Sequence, residues 1–309
     1  MRIALLGAGS QIAKDLILAF QADPRHDLAL YGRRPEIIAD WVGRLSQAHR
    51  YPVAALSAFN SSEPFDAVIN FVGVANPAAA IAMGARILDV TTKIDDLAMS
   101  YLEQRPDCRY LFLSSGAAYC TSFDAPADEH TRSNIDINNP GPQDWYGLAK
   151  LIAECRHRAH SALPVTDLRI FGYFSRTQDM SARFLLTDAL RSIRDGVVLH
   201  TSAEQTFRDY LNPKDFSRLV GCLLDTAPVN TALDCYTLAP IDKWTLLSAM
   251  REKFSLQYEV RAQDAAVNAT GSKPHYYSLD RRAAAFGYAP SMSSLDGVLL
   301  EAAAHLGQS

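Results

Sequence analysis

Along the first half of the chain, short apolar runs alternate with stretches in which apolar residues recur every three or four positions. Arg2–Leu6, Asp27–Tyr31, Ala67–Val72, Tyr110–Ser114 and Val165–Phe171 are dominated by apolar residues, as expected of strands covered on both faces of a parallel sheet. Between the first two, Gln11–Gln21 places Ile12, Leu16, Ile17 and Phe20 at helical spacing. Asp144–His160 repeats that pattern behind Pro140-Gly141-Pro142, a break that suits a helix start. The alternation predicts stacked βαβ units and therefore an α/β fold, a doubly wound parallel sheet.

Beyond residue 175 the alternation loosens. Ser181–Arg194 and Lys243–Lys253 keep helical patterns, Tyr236–Leu238 has the pattern of a short strand, and Ser278–Leu306 closes with a helix after Pro290. Residues 261–280 are polar and irregular, as in a loop that covers a ligand. The expected division is a sheet domain over residues 1–175, with part of 205–235 returning to it. Residues 176–309 then form mainly a smaller C-terminal substrate lobe. The 309 residues, 48% hydrophobic, suffice for a core of that size.

Charge and cysteine content exclude several classes of function. The formal net charge is −4 with signs interspersed, so no basic block marks a nucleic-acid or anionic membrane partner. No run approaches the ~18 apolar residues of a membrane span, and the first apolar run is too short for a signal-peptide core. Five cysteines, an odd number without metal-ligand spacing, read as reduced thiols of a cytoplasmic protein.

Candidate chemistry begins where the first strand ends. Gly7-Ala8-Gly9-Ser10-Gln11-Ile12-Ala13 leads directly into a helix, and small residues there let backbone approach a pyrophosphate at the helix N-terminus. The second strand ends in Leu30-Tyr31-Gly32-Arg33-Arg34, with no carboxylate before Glu36. An acidic residue there would hold a ribose hydroxyl, whereas Arg33 and Arg34 suit a phosphate. The expected cofactor is NADP(H), with NAD(H) as the alternative.

Tyr146 and Lys150 stand at i and i+4 of the second helical segment, on one face. A phenol is a poor acid or base at neutral pH, and a nearby ammonium favours its ionised form. Leu111–Ser115 is an apolar strand that ends in hydroxyls, at the edge where α/β sheets present ligands. Ser115 there can orient a substrate oxygen beside Tyr146.

Taken together, these segments resemble the extended short-chain dehydrogenases/reductases, the NAD(P)-dependent sugar epimerase and dehydratase family, over essentially the whole length. Gly7–Ala13 resembles the family's glycine turn, and Asp66–Gly73 its fourth strand beside the cofactor. Ser115, Tyr146 and Lys150 fall on the catalytic hydroxyl, Tyr and Lys. Gln205–Tyr210 resembles the segment whose Arg meets a nucleotide-sugar diphosphate, and Phe286-Gly287-Tyr288-Ala289-Pro290 the C-terminal signature. The resemblance implies a Rossmann-type sheet, catalysis by Ser115, Tyr146 and Lys150, and a nucleotide-sugar substrate held by Ser115, Gly116, Tyr173 and Arg208. It further implies cofactor contacts from Gly7, Gly9, Ser10, Gln11, Ile12, Arg33, Arg34, Phe71, Val72, Gly73, Tyr146 and Lys150. A homodimer built on Ile94–Leu102 and Asp144–His160 is also implied.

Departures narrow the reaction. The family's 4,6-dehydratases carry Asp-Glu after the catalytic hydroxyl residue; here Gly116 and Ala117 stand there. The reductases that make GDP-fucose carry a Cys at the position of Ala117. Cys120 reads as a small buried residue, and His157 and His160 as helix-surface residues. Position 13 is Ala where relatives often have Gly, and Gly172 replaces the Asn that often holds the nucleotide. Arg208 either meets an anionic substrate or pairs with Asp209 or Asp215. The expectation is an NADPH-dependent ketoreductase of a nucleotide-linked keto-sugar, part of carbohydrate biosynthesis. A nucleotide-sugar 4-epimerase is the alternative, and a non-catalytic NADP(H) sensor a third reading.

Overall fold

Four of the five residues of the first strand, β1 (Arg2–Leu6), are buried, because parallel neighbours flank it on both sides. The structure is a computed structural model that describes all residues except 22, 24, 47–49, 75–76, 262–272 and 309. After β1 come α1 (Gln11–Phe20), β2 (Asp27–Gly32), α2 (Pro35–Val42), β3 (Val53–Ala55), β4 (Ala67–Asn70), α3 (Pro77–Met83), α4 (Arg86–Gln104), β5 (Arg109–Ser115), α5 (Trp145–Ala159) and β6 (Val165–Ile170). The chain continues through β7 (Gly172–Tyr173), α6 (Leu185–Asp195), β8 (Leu199–Thr201), β9 (Phe207–Arg208), β10 (Tyr210–Leu211), α7 (Pro213–Asp225) and β11 (Thr231–Asp234). Last come β12 (Ile241–Asp242), α8 (Lys243–Phe254), β13 (Tyr258–Val260), β14 (His275–Tyr276) and α9 (Ser294–His305).

Among the described residues, seven strands form one parallel sheet in the order β11-β6-β5-β4-β1-β2-β3. The order reverses between β1 and β4, the crevice where such sheets bind ligands. On one face Leu16, Ile17 and Phe20 of α1 join Phe216, Leu219 and Val220 of α7 over Leu5 and Leu30. On the other face Ala98, Met99 and Leu102 of α4 and Ala153 of α5 cover Leu6, Val68, Tyr110 and Phe112. This is the α/β, Rossmann-type sheet expected from the alternation. Small sheets, β7–β10, β8–β13 and β9 between β12 and β14, belong to the C-terminal part, whose own core joins α6, α8 and α9 through Leu190, Met250 and Val298.

Three details differ from the sequence pattern. The fourth strand stops at Asn70 rather than Val72 because the Asn70 side chain accepts the Val72 N–H at 2.9 Å, turning the backbone out of the ladder. Tyr236–Leu238 is not a strand; the seventh strand is β11, just upstream, paired with β6. Tyr236 is apolar filling instead, its carbonyl accepting from the Tyr288 hydroxyl at 2.7 Å. Within 261–280, residues 262–272 lie outside the described part. The remainder carries β14, which pairs with β9 and ties to the 123–127 segment through backbone bonds from His275, Leu279 and Ala127.

Candidate active site

The glycine turn works by conformation and by close approach. Gly7 has φ +81°, and a Cβ there would stand 3.0 Å from the side chain and backbone nitrogen of Val72 and 3.1 Å from the Phe71 carbonyl carbon. The turn and the exit of β4 thus touch, which brings Gly7, Phe71 and Val72 together. The amides of Gly7 and Ala8 bond the Tyr31 carbonyl, while Ser10 caps α1 by accepting the Ala13 N–H at 3.3 Å. The amides of Gly9, Gln11 and Ile12 find no acceptor among the described residues, leaving the donors that an anion at a helix N-terminus needs. The Gln11 side chain faces elsewhere, donating to Ser175 at 2.8 Å.

At the end of β2, a Cβ on Gly32 would fall 2.1 Å from the Ile38 Cδ1, so any side chain there has to push that methyl aside. Arg33 and Arg34 follow, exposed and without a carboxylate partner among the described residues. These features fit a nicotinamide dinucleotide: a close-packed turn, free amides at a helix start, and cations at the ribose end.

Strand β5 ends in Ser115, which is buried. Its Oγ lies 2.9 Å from the Tyr276 hydroxyl and accepts the Ala117 N–H at 3.2 Å. Helix α5 sits close above, because a Cβ on Gly147 would be 2.7 Å from the Ala117 carbonyl. That close seat sets Tyr146 beside Ser115. Burial pushes the Tyr146 phenol up from its ordinary range, and the bond to Ser115 opposes this. In this arrangement the counterweight on Tyr146 is Ser115 rather than Lys150. The Lys150 ammonium donates to the Leu113 carbonyl at 2.7 Å and lies 4.4 Å over the Phe112 ring. It is also 3.6 Å from the Cβ position of Gly73, so the exit of β4 and α5 meet. Burial lowers Lys150 to about 8, against Asp95, Glu154 and Asp167, which raise it.

Residues of the C-terminal part come next to this group. Arg208 is largely withdrawn from water and donates to the carbonyls of Phe207, Lys273 and Pro274. It pairs with neither nearby carboxylate: Asp209 is held by Thr237 and Ser294, and Asp215 by Asn212 and Ser291. Burial accordingly lowers the Arg208 guanidinium. Gly116 packs under Phe171, whose ring a Cβ would meet at 2.5 Å. At Gly172 a Cβ would stand 2.7 Å from the Asp209 carbonyl, so an Asn side chain has no room there. Tyr173 does not converge on Ser115; its hydroxyl donates to Asp15 of α1 at 2.9 Å. Burial pushes the Cys120 thiol up to about 11, which leaves it a neutral neighbour of the site.

His157 corrects the sequence reading. Rather than lying on the surface of α5, it is fully buried, with Nδ1 2.6 Å from Asp167 and Nε2 2.8 Å from Asp95. Two carboxylates on one ring demand two donors, hence an imidazolium. Burial pushes its pKa down, but Asp167 and Asp95 outweigh this and hold it at about 9. His160, by contrast, is exposed. Sequence reasoning also missed the pair of Glu154 and Arg169 beneath Ser114, and Tyr276 itself. Glu154 carried a signal, since it follows Lys150 at i+4, whereas Tyr276 lies in an irregular stretch without a motif.

The profile of the NAD dependent epimerase/dehydratase family matches residues 3–234. The chain belongs to that family. It is therefore an NAD(P)-dependent enzyme of the epimerase/dehydratase type. A UDP-glucose 4-epimerase from Thermotoga maritima, solved with UDP-glucose, has a similar structure, with TM-score 0.77 and 16% identity over 99% of each chain. The UDP-glucose 4-epimerase of Bifidobacterium longum, solved with NAD+ and UDP, gives TM-score 0.76 and 14% identity over 99% of this chain and 98% of that one. The UDP-glucuronic acid 4-epimerase of Bacillus cereus, with UDP-glucuronic acid and NAD, gives 0.75 and 14% over 99% of both. No curated protein is similar enough in sequence to match. Among the described residues of this family member, no helix is long and apolar enough to cross a membrane.

Proposed function

We propose that the chain is a nucleotide-sugar 4-epimerase in which Tyr146 is the acid and base. The observation that carries this reading is the grouping of Ser115, Tyr146 and Lys150 near Arg208, a half-buried cation without a carboxylate partner among the described residues. A bound nicotinamide dinucleotide supplies the hydride acceptor and then the donor. Tyr146 takes the proton of the sugar hydroxyl and returns it, and Ser115 holds that oxygen in line. Lys150 binds the dinucleotide beside Gly73, and Arg208 holds the diphosphate of the substrate. Gly116 and Ala117 supply no second acid or base, which argues against dehydration. That several structural neighbours are 4-epimerases of UDP-sugars supports epimerisation over simple reduction.

A second reading, an NADPH-dependent ketoreductase of a nucleotide-linked keto-sugar, draws support from Arg33 and Arg34. No acid holds a ribose hydroxyl at the end of β2, and two exposed guanidiniums suit a phosphate there. The two readings separate in one assay of purified protein with nucleotide-sugars, followed by nicotinamide absorbance and proton NMR. Epimerisation interconverts the sugars without net loss of absorbance; reduction consumes NADPH in step with product. Tyr146→Phe is expected to lower turnover at least about 100-fold while leaving dinucleotide affinity within about threefold. Turnover retained in that variant would overturn the assignment of Tyr146.

A further inference from the structure

We infer that Tyr276 is the third hydroxyl of the catalytic group, a positioning residue that donates through Ser115 to Tyr146. The inference rests on the reading of Tyr146 as acid and base, and extends it to a residue 130 positions away in sequence.

The hydrogen-bonding capacity of Ser115 favours one direction of donation. A serine hydroxyl has one proton and two acceptor positions. Ser115 Oγ already accepts the Ala117 N–H at 3.2 Å and shares a 2.9 Å bond with Tyr276. Burial keeps the Tyr276 hydroxyl protonated, so it has a proton to pass on. If Tyr276 donates to Ser115, both acceptor positions of Ser115 are filled and its single proton serves Tyr146 until a sugar oxygen takes that place. Successive donations of this kind reinforce one another, and the final acceptor is best served as a phenolate.

The surroundings hold Tyr276 in place. Tyr276 is wedged against Phe123 and Phe171, with ring centroids 4.9 and 5.3 Å away, which holds its hydroxyl on Ser115. The charged groups facing the chain are Lys150 on α5, Arg208 on β9, 5.9 Å from the Tyr276 ring centre, and Lys273 ahead of β14, at 4.8 Å. All three are cations. The carboxylate of Asp144, just before α5, acts on Lys273 and Cys120 rather than on Tyr146. Tyr276 itself is raised well above the usual phenol range by burial, so it stays protonated and able to donate.

The test is the pH dependence of Tyr146 in Tyr276→Phe, which keeps the ring and removes only the hydroxyl. Phenolate ultraviolet absorbance of the dinucleotide-loaded protein, minus that of the same protein carrying Tyr146→Phe, isolates the titration of Tyr146 without any turnover. That titration is expected to move up by about half to one pH unit in Tyr276→Phe, with the acid limb of kcat moving alongside it. Activity then falls about three- to tenfold at neutral pH and recovers at high pH. An unmoved titration, or an equal loss of activity at every pH, overturns the role of Tyr276. A moved titration in a protein that turns over no nucleotide-sugar leaves the hydroxyl chain standing and removes the epimerase reading instead.

Discussion

Two clusters of buried charge lie at opposite ends of α5, and they are completed in different ways. Near its C-terminus His157 sits between Asp95 and Asp167, and these meet Arg156 and Arg158. Tyr110 and Asn70 extend the cluster to the backbone at Val72. Near its N-terminus Arg208 and Lys273 flank Tyr276 with no carboxylate ion pair among the described residues. A buried charge that meets its opposite within the protein is part of the framework. One left with carbonyls and ring faces has its charge to offer to something that arrives.

The largest effect expected from breaking the paired cluster is thermodynamic. Asp95→Asn leaves His157 and Arg156 short of an anion and should cost about 3 kcal/mol or more of unfolding free energy, read from urea denaturation. A cost below about 1 kcal/mol would mean the cluster is not a framework at all.

Next is the pH dependence of His157. Its folded pKa, about 9, lies above the ordinary histidine value of 6.5. The stability it contributes is therefore fully present below 6.5 and lost as pH rises through about 9. Lys150 acts in the opposite sense, since its lowered value, about 8, makes stability rise with pH between 8 and 10.5. The clean window for His157 is thus pH 6.5 to 8, and His157→Asn should flatten the decline there, measured by urea unfolding at stepped pH.

The unpaired cluster should respond in binding rather than in stability. Arg208→Leu is expected to cost only about 1 kcal/mol of unfolding free energy while weakening uridine diphosphate binding by about 10- to 100-fold in calorimetry. A variant that unfolds as readily as Asp95→Asn would erase the contrast. The smallest effect concerns the far end of the crevice: Arg33→Ala should weaken NADPH about three- to tenfold and NADH hardly at all. Equal loss of both would remove the basis for a phosphate contact there.

Much of this architecture was legible because its signals are local. β1, β2, β5, α1 and α5 each announce themselves in fewer than twenty residues by run length or period. The seventh strand was not legible, since Thr231–Asp234 is a four-residue edge with only its last two residues buried and little apolar pattern. His157 misled because it stands between Arg156 and Arg158, which reads as a solvated turn of helix. What buries it is Asp95 from α4 and Asp167 from β6, and nothing within α5 foretells them. Of the site, Ser115, Tyr146 and Lys150 were readable as a spacing. Tyr276 meets Ser115 only through the packing of β14 against β9 and the 123–127 segment, a relation with no local trace.

The pairing of β11 with β6 has a consequence for how the molecule is made. Between the two strands the chain leaves the sheet, builds β7 to β10 and α6, and returns by way of α7. Until that return, the hydrogen-bonding edge of β6 is open, as is the sheet face that Phe216, Leu219 and Val220 later cover. During synthesis the first 170 residues thus emerge as an unfinished sheet with a bare edge, the kind of intermediate that aggregates or recruits chaperones. Maturation must wait for sequence-distant closure, so folding is expected to be slow and governed by the arrival of that last strand.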